Sequence, residues 1–349
     1  MPTRTASRKF FDPDGLYIIA EAGVNHNGSL TTAMEMVDAA KASGADAVKF
    51  QTWITEQVYT VKDSLKPDYQ NAGTDPKESE FHTVKRLELS FDSFRKLKKH
   101  CDKAGITMLS TPDEWQSADF LIDELRLSAI KIASQDVNNL PFLRYLGRRQ
   151  RPLIYSSGTA SLAEVATAVE AILGAGCPSL AVLHCTSCYP APVESVNLRA
   201  ITTLREALRL PVGYSDHTLG AEISVAAVAL GATIIEKHLT LDRTMPGPDH
   251  AASLEPAEFA AMVRQIRAVS SALGDGVKRP APCEEKNRAA ARRSLVAAHD
   301  LPAGTALARP DLAAKRPGKG ISPADIDRVL GKSLKRALRR DEALTEECL

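Results

Sequence analysis

The chain has 349 residues, 44% of them hydrophobic and 25% charged, and a net charge of +1. That balance belongs to an ordinary globular chain, large enough for one big domain and a small one. It excludes a strong pull toward nucleic acid or a membrane surface, and the longest apolar stretch, around Ile223 to Ile235, is too short and interrupted to span a bilayer. The basic start MPTRTASRKF is followed only by the short LYIIA and by no signal-peptide core, so a cytoplasmic protein is expected.

A strand-then-helix rhythm repeats eight times. The predicted strands are YIIAEAGVN (17–25), DAVKFQTW (46–53), ITMLSTPD (106–113), AIKIASQD (129–136), PLIYSSG (152–158), LAVLHCTS (180–187), VGYSDHT (212–218) and TIIEKHLT (233–240). Helical stretches lie between them. In TTAMEMVDAAKASG, Ala33, Met34, Val37 and Ala40 fall on one face of period 3.6, and SLAEVATAVEAILGAG stops at Gly174. Eight such units fit an α/β fold of the closed (β/α)8 barrel type over 16–273. A doubly wound open sheet is the alternative, but no G-x-G-x-x-G follows the first strand. Residues 1–15 read as an extension, and the weakly periodic connection over 54–89 as a functional loop or lid.

After Leu273 the composition changes. Residues 274–293 read as a linker and 294–349 as a compact β-rich module near the lower size limit for independent folding. Residues 286–349 hold 14 Lys or Arg against 8 Asp or Glu, a net +6, so the remainder of the +1 chain carries −5. Such a tail is a solvated surface, a lid for an anionic substrate or, least favoured because no aromatics interleave the cations, a nucleic-acid patch. The six cysteines are expected as free thiols. Cys185 and Cys188 form a single C-x-x-C with no second pair, which argues against structural zinc.

In a barrel of this kind the C-terminal strand ends build the active site. Here they are polar throughout: Glu21, Asn25 and His26; Lys49 and Gln51; Ser110, Thr111 and Asp113; Lys131, Ser134, Gln135 and Asp136; Ser156 and Ser157; His184, Thr186, Ser187 and Tyr189; Ser215, Asp216 and His217; Glu236, Lys237 and His238. By period-2 geometry Lys49 shares a face with Gln51, Ser215 with His217, and Glu236 with His238. His217 and His238 would then approach from adjacent strands, an arrangement suited to a divalent metal with open coordination positions, or else two satisfied core histidines. Lys49 and Lys131 with Ser134, Ser156 and Ser215 make an anion cradle for a ligand bearing phosphate and carboxylate. A Schiff-base lysine is the rival use.

The segments IIAEAGVNHNGS, AVKFQTW, STPD, IKIASQD, LHCTSCYPAP, GYSDHT, IIEKHLTLD and PGPDHAAS, in this order, resemble the sialic acid synthase family. The tail RRSLVAAHDLPAGTAL…KRPGKGISP looks like that family's C-terminal antifreeze-like (SAF) domain. The resemblance implies condensation of phosphoenolpyruvate with an open-chain N-acetylated amino sugar, giving a nine-carbon acid and phosphate by C–O cleavage. N-acetylmannosamine is the favoured acceptor, and a 2,4-diacetamido-trideoxyhexose leading to legionaminic or pseudaminic acid is the alternative. It implies a metal, Mn2+, Mg2+ or Co2+, on His217 and His238. Lys131, Ser134, Ser156 and Ser215 would hold phosphate, and Lys49 and Thr111 the carboxylate. Glu21, Tyr189 and Asp249 would bind the sugar, with Gln51, Asp136 and Ser187 among the substrate contacts; members often carry Asn where this chain has Ser187, and some carry Glu at Asp136. Glu21, Glu236 and Lys131 are the expected catalytic set, Glu236 orienting a metal ligand or a metal-bound water. Arg316 would reach the sugar's N-acetyl group from the partner chain of a domain-swapped homodimer. A barrel metallohydrolase and a non-catalytic sugar-binding protein are the remaining rivals.

Overall fold

The computed structural model describes residues 15–61 and 78–349. The expected extension over 1–15 lies almost wholly outside them, as does the middle of the 54–89 connection. The chain divides after Gly274 into two compact units.

In the first unit eight strands run parallel: β1 (Tyr17–Gly23), β2 (Ala47–Thr52), β3 (Thr107–Pro112), β4 (Ile130–Ile132), β5 (Leu153–Ser156), β6 (Leu180–Cys185), β7 (Val212–Asp216) and β8 (Ile234–His238). Their order is β3-β2-β1-β8-β7-β6-β5-β4. The end strands β3 and β4 pack against each other without a ladder, so the sheet curls into a near-closed (β/α)8 barrel and the open-sheet alternative falls. All eight strands coincide with predicted ones, but each is shorter, mostly at its C-terminal end. The polar residues there belong to the loops they open.

The inner face follows the period of two. Ile19, Ala47, Leu109, Ala129, Ile154, Leu183 and Ile234 fill the barrel as one apolar cluster, with Ala181 and the partly buried Tyr17. Gly213 completes this layer, where a Cβ would lie 2.4 Å from the Ile234 carbonyl oxygen and 2.6 Å from Leu183. Two residues further along each strand the same face turns polar: Glu21, Lys49, Thr111, Lys131, Ser156, Cys185, Ser215 and Glu236, all buried. Stacked layers of inward side chains are how such barrels close, and here the upper layer is ionic instead of aliphatic.

The outer helices bury one apolar stripe each. The helix Leu30–Ala42 is capped by Ser29 and buries Ala33, Met36, Val37 and Ala40; Met36, not Met34, takes the inner position. The helix Leu162–Gly174 opens with a Ser161–Glu164 capping box, and its stop is completed two residues beyond Gly174 by Gly176, at φ +97. The 54–89 connection is not all loop. It holds a short helix, Thr55–Val58, and a second, Glu80–Leu87, capped by Ser79. Among the described residues no helix is long and apolar enough to cross a membrane.

The second unit pairs β9 (Ser294–Ala297) antiparallel with β10 (Leu312–Lys315) over a core that includes Leu295, Leu301, Leu307, Val329, Leu334, Leu338 and Leu344. Single bridges, such as Leu301 to Leu338, do most of the remaining pairing. The stretch expected as a bare linker carries an exposed helix, Pro282–Ala291, started by Pro282 and Glu284.

Candidate active site

The polar layer and the loops above it line one cavity of about 400 Å³. It gathers Glu21, Lys49, Gln51, Thr111, Lys131, Ser134, Ser156, Ser187, Tyr189, Ser215, His217, Glu236, His238 and Asp249. Of the barrel residues expected in the site, only Asp136 does not line it. Asp136 sits in the 3-10 turn Ser134–Asn138, buried, accepting a hydrogen bond from Asn139 at 3.2 Å. Arg316 is exposed on the second unit, just after β10, and precedes a cis proline.

Strand register explains the contacts. Lys49 is the β2 partner of Glu21, and Glu21 is the β1 partner of His238. Lys49 Nζ lies 2.7 Å from Glu21 Oε1 and 3.9 Å from Glu236 Oε2. Lys131 Nζ lies 3.7 Å from Glu236 Oε1 and donates to Ser156 Oγ at 2.6 Å. Ser215, beside Glu236 in the β7–β8 register, donates to Glu236 Oε1 at 3.0 Å. Gln51 donates to Glu21 and Lys49 to Thr111, both at 3.4 Å. Two buried ammonium groups and two buried carboxylates therefore balance one another at the cavity floor.

Burial sets the titration of these groups. It raises Glu21 to about 7, against the opposing pull of Lys49. Burial also raises Glu236, but Lys131 and Lys49 outweigh it and hold that carboxylate below the ordinary value. Burial lowers Lys131. It raises Asp249 to about 6 and, with Asp136 nearby, Asp113 to about 8. A carboxyl near neutrality beside one kept ionised is a usable acid–base pair.

Beyond the carboxylates stand the two imidazoles, ring centroids 5.4 Å apart, with Tyr189 4.0 Å from His217 and 5.6 Å from His238. His217 Nδ1–H donates to the Thr186 carbonyl at 2.8 Å, so Nε2 is the nitrogen left for a metal. Burial lowers this imidazole, but Cys185 and the Thr186 carbonyl outweigh it and raise it above its ordinary value, so a cation would displace a proton there. His238 Nδ1 is buried with no hydrogen-bond partner, 3.7 Å from Asp249 Oδ2. Burial, with His217 and Lys49 nearby, holds His238 well below its ordinary value, in the neutral form a metal needs. The pair fits a cation that takes two protein ligands and completes its shell from substrate and water. Among the described residues no group of three or more His, Cys, Asp or Glu is placed to hold a metal, so a three-ligand hydrolase centre is not found there.

One side of the cradle is closed by Gly158. Its N–H donates to Ser134 Oγ at 3.0 Å, and a Cβ there would lie 2.2 Å from Ser187 Oγ, 2.7 Å from Ser134 Oγ and 3.1 Å from Cys185 Sγ. Sequence reasoning treated Cys185 only as half of a C-x-x-C, although two steps on from the inner Leu183 it falls on the same inward face. The 54–89 connection reads in sequence as functional, but that reading does not name the wall residues it supplies. Tyr59, Glu80 and Thr83, with the apolar Val24, Trp53, Val84 and Leu87, also line the cavity. The signal was present: Phe81, Val84 and Leu87 recur at helical spacing behind the cap Ser79.

Comparison with known proteins places this geometry. Residues 36–278 match the model of the NeuB family, and residues 292–349 match that of the SAF domain. The chain is 44% identical to the N,N'-diacetyllegionaminic acid synthase of Campylobacter jejuni, covering 94% of this chain and 98% of that one. It is 38% identical to the human N-acetylneuraminate-9-phosphate synthase over 95% and 92%. Among solved structures, the N-acetylneuraminic acid synthetase of Leptospira borgpetersenii, in complex with citrate, is 36% identical with a TM-score of 0.70, covering 79% of this chain and 90% of that one. The chain belongs to the NeuB family of sialic-acid-type synthases, with a barrel of buried paired charges and a C-terminal SAF domain.

Proposed function

We propose that this enzyme condenses phosphoenolpyruvate with a 2,4-diacetamido-trideoxyhexose to give a legionaminic-type nine-carbon acid and phosphate. The observation that carries the phosphoenolpyruvate half is the buried floor. Lys49 and Lys131, each under 5% exposed, sit among Ser134, Ser156 and Ser215. They supply charge-assisted donors for one phosphate and one carboxylate. Two points support the acceptor over N-acetylmannosamine. The relative named for diacetyllegionaminic acid is 44% identical and the one named for neuraminate-9-phosphate 38%. The far wall of Val24, Trp53, Val84 and Leu87 suits a deoxy carbon and acetamido methyl groups better than free hydroxyls.

The residues divide the work as follows. Lys131 with Ser134, Ser156 and Ser215 holds phosphate, and Lys49 with Thr111 holds the carboxylate. Asp249, Tyr189 and Glu21 hold the open-chain sugar with its aldehyde carbon against C3 of phosphoenolpyruvate, and Gln51 and Ser187 complete the lining. His217 and His238 hold a divalent metal, Mn2+, Mg2+ or Co2+, which when bound polarises the aldehyde oxygen. C3 attacks the aldehyde carbon and a C–C bond forms. Glu21, near neutrality, gives its proton to the developing alkoxide. Water adds at C2 and its proton goes to the Glu236 carboxylate. The tetrahedral carbon then expels phosphate with cleavage of the C–O bond, its hydroxyl proton leaving with the phosphate to give the keto acid. The proton held by Glu236 is lost to solvent as Glu21 regains one. Holding two small substrates together supplies about 7–11 kcal/mol of the barrier reduction.

In the same reading the enzyme is a homodimer in which Arg316 of one chain completes the other chain's site. Exposed Val61, Trp115, Leu162, Val193 and Leu219 stand on the connections after β2, β3, β5, β6 and β7, an apolar rim that another surface would cover. The test is phosphate release from phosphoenolpyruvate with 2,4-diacetamido-trideoxyhexose and N-acetylmannosamine side by side. Release that needs both substrates, with higher kcat/KM for the diacetamido sugar, is expected. A preference for N-acetylmannosamine overturns the acceptor, and release without any sugar overturns the reaction.

A further inference from the structure

Behind the two histidines lies a second ion pair that the reaction does not use. Asp216 and Lys237 are direct partners in the β7–β8 register. Their side chains are fully buried, with Lys237 Nζ 3.0 Å from Asp216 Oδ2. The next residue on each strand is His217 or His238. By the period of two, the pair points away from the cavity and the imidazoles point into it.

The carboxylate is completely satisfied, and the ammonium has two acceptors. Asp216 Oδ1 accepts from the Thr218 N–H at 2.9 Å, the Thr218 hydroxyl at 2.7 Å and Tyr214 at 3.3 Å. Oδ2 accepts from Ser224 Oγ at 2.6 Å, and Lys237 donates to the Thr218 carbonyl. The loop after β7 is thereby bolted to β8 on both sides of His217. The two imidazoles differ in what else holds them. His217 is anchored by its hydrogen bond to the Thr186 carbonyl, whereas His238 Nδ1 has none. With its ring only packed against His217 and Tyr189, His238 is placed chiefly by its backbone, which β1 holds at Glu21 and which the Asp216–Lys237 pair ties to the loop that carries His217.

Stability does not require such a pair, because a buried ion pair replaced by apolar groups of similar volume is often neutral or better. A geometric duty accounts for it. We propose that Asp216 and Lys237 are positioning residues which fix the separation of His217 and His238 and so set the affinity of the metal centre. The inference rests on the metal reading above.

The test uses the full-length, metal-stripped chain and Mn2+ alone, its binding followed by loss of the free-ion EPR signal. The double variant Asp216→Asn with Lys237→Met keeps volume and leaves no unpaired charge. It is expected to keep the wild-type melting profile and wild-type phosphoenolpyruvate binding in the absence of metal, while Mn2+ affinity falls about 10–100-fold, the usual effect of losing outer support. Wild-type Mn2+ affinity in the folded double variant overturns the inference alone. Failure of the wild-type chain to bind Mn2+ overturns the metal reading and the inference with it. Should the double variant not fold, Ser224→Ala decides, since it removes one contact to Asp216 Oδ2. Weaker Mn2+ binding with unchanged phosphoenolpyruvate binding supports the lock, and unchanged Mn2+ binding overturns it.

Discussion

Glu236→Gln separates what the floor of the cavity does for binding from what it does for turnover. The carboxylate lies 3.7 Å from Lys131 and 3.9 Å from Lys49, and all three side chains are at most 5% exposed. At an effective dielectric constant of about 20, each of those attractions is worth about 4 kcal/mol. Removing one partner of a buried charge cluster costs about 3–5 kcal/mol. The variant removes the carboxylate that Lys49 and Lys131 share and leaves an excess of buried positive charge. The free protein should therefore lose about 3–5 kcal/mol, read by denaturant unfolding on the fluorescence of Trp53 and Trp115, both in the barrel. Phosphate and phosphoenolpyruvate, by contrast, should bind more tightly. The same electrostatics, discounted for rearrangement of the lysines, gives about 1–2 kcal/mol, or about 5–30-fold. Turnover should collapse, because Gln accepts no proton from water. Calorimetric titration with inorganic phosphate and a phosphate-release assay check the two halves. Weaker phosphate binding in a folded variant would refute the charge balance drawn here, and retained turnover would refute the role of Glu236.

Chelation should abolish activity and Mn2+, Mg2+ or Co2+ restore it, with His217→Ala or His238→Ala costing more than about 100-fold in kcat/KM; full activity of metal-stripped enzyme in excess chelator rules this out. Gly158→Ala should raise KM for phosphoenolpyruvate about tenfold with the melting profile intact, because the new methyl displaces Ser134 and Ser187 without touching backbone; an unchanged KM would show that the cradle lies elsewhere. Buried His26, its Nδ1 accepting the Gly28 N–H at 3.0 Å, is lowered to about 4 by burial, from 6.5 in the unfolded chain. Its contribution is complete above pH 6.5 and is lost as pH falls toward 4, so His26 alone takes about 2 kcal/mol from the barrel between pH 7 and 5, while the raised carboxyls Glu21, Asp113 and Asp249 act in the opposite sense; the stability difference between wild type and His26→Gln should change by that amount over this range. Mixed dimers of Arg316→Ala with His238→Ala chains should regain activity that neither variant has, and mixed dimers without recovery would remove the in-trans arginine.

The barrel was legible because its signals are local. Each strand is a short apolar run, and helices such as Leu30–Ala42 and Leu162–Gly174 carry a serine cap and an apolar stripe. The charged floor was legible for the same reason: Lys49, Lys131 and Glu236 each break an apolar strand pattern at the position where the inward face reaches the mouth. Register supplied what spacing could not. That Glu21 faces Lys49 on one side and His238 on the other depends on strand pairing, in the second case between segments about 200 residues apart, and no window of sequence carries it. The helix Glu80–Leu87 was missed because its eight residues lie inside a long connection whose remainder has no periodicity, and because what marks it as a wall is tertiary packing against Val24 and Trp53. Asp136 shows the opposite error. It stands among strand-end polar residues, but a 3-10 turn begins at Ser134 and carries it out of the lining.

These two kinds of wall imply a division of labour. The residues read as gripping phosphoenolpyruvate or the metal stand on strand ends or in the first residues beyond them, where register fixes each strand to at least one neighbour. The apolar wall facing them comes from the connection after β2, with Val24 from the end of β1, outside any ladder. A strand-end lysine cannot move without breaking ladder hydrogen bonds and exposing a buried charge, so the reaction is hard to alter there. A side chain such as Val84 or Leu87 can change at the cost of local packing alone. The acceptor sugar is therefore the part of the chemistry that this architecture leaves free to vary, and Val84→Ser should show it. Polar substitution of that wall should lower kcat/KM for the diacetamido sugar about 10–100-fold relative to N-acetylmannosamine, the scale of one misplaced methyl contact, while KM for phosphoenolpyruvate stays fixed. Equal losses on both sugars would place the selection elsewhere, and a rise in KM for phosphoenolpyruvate would mean that the two walls are not independent.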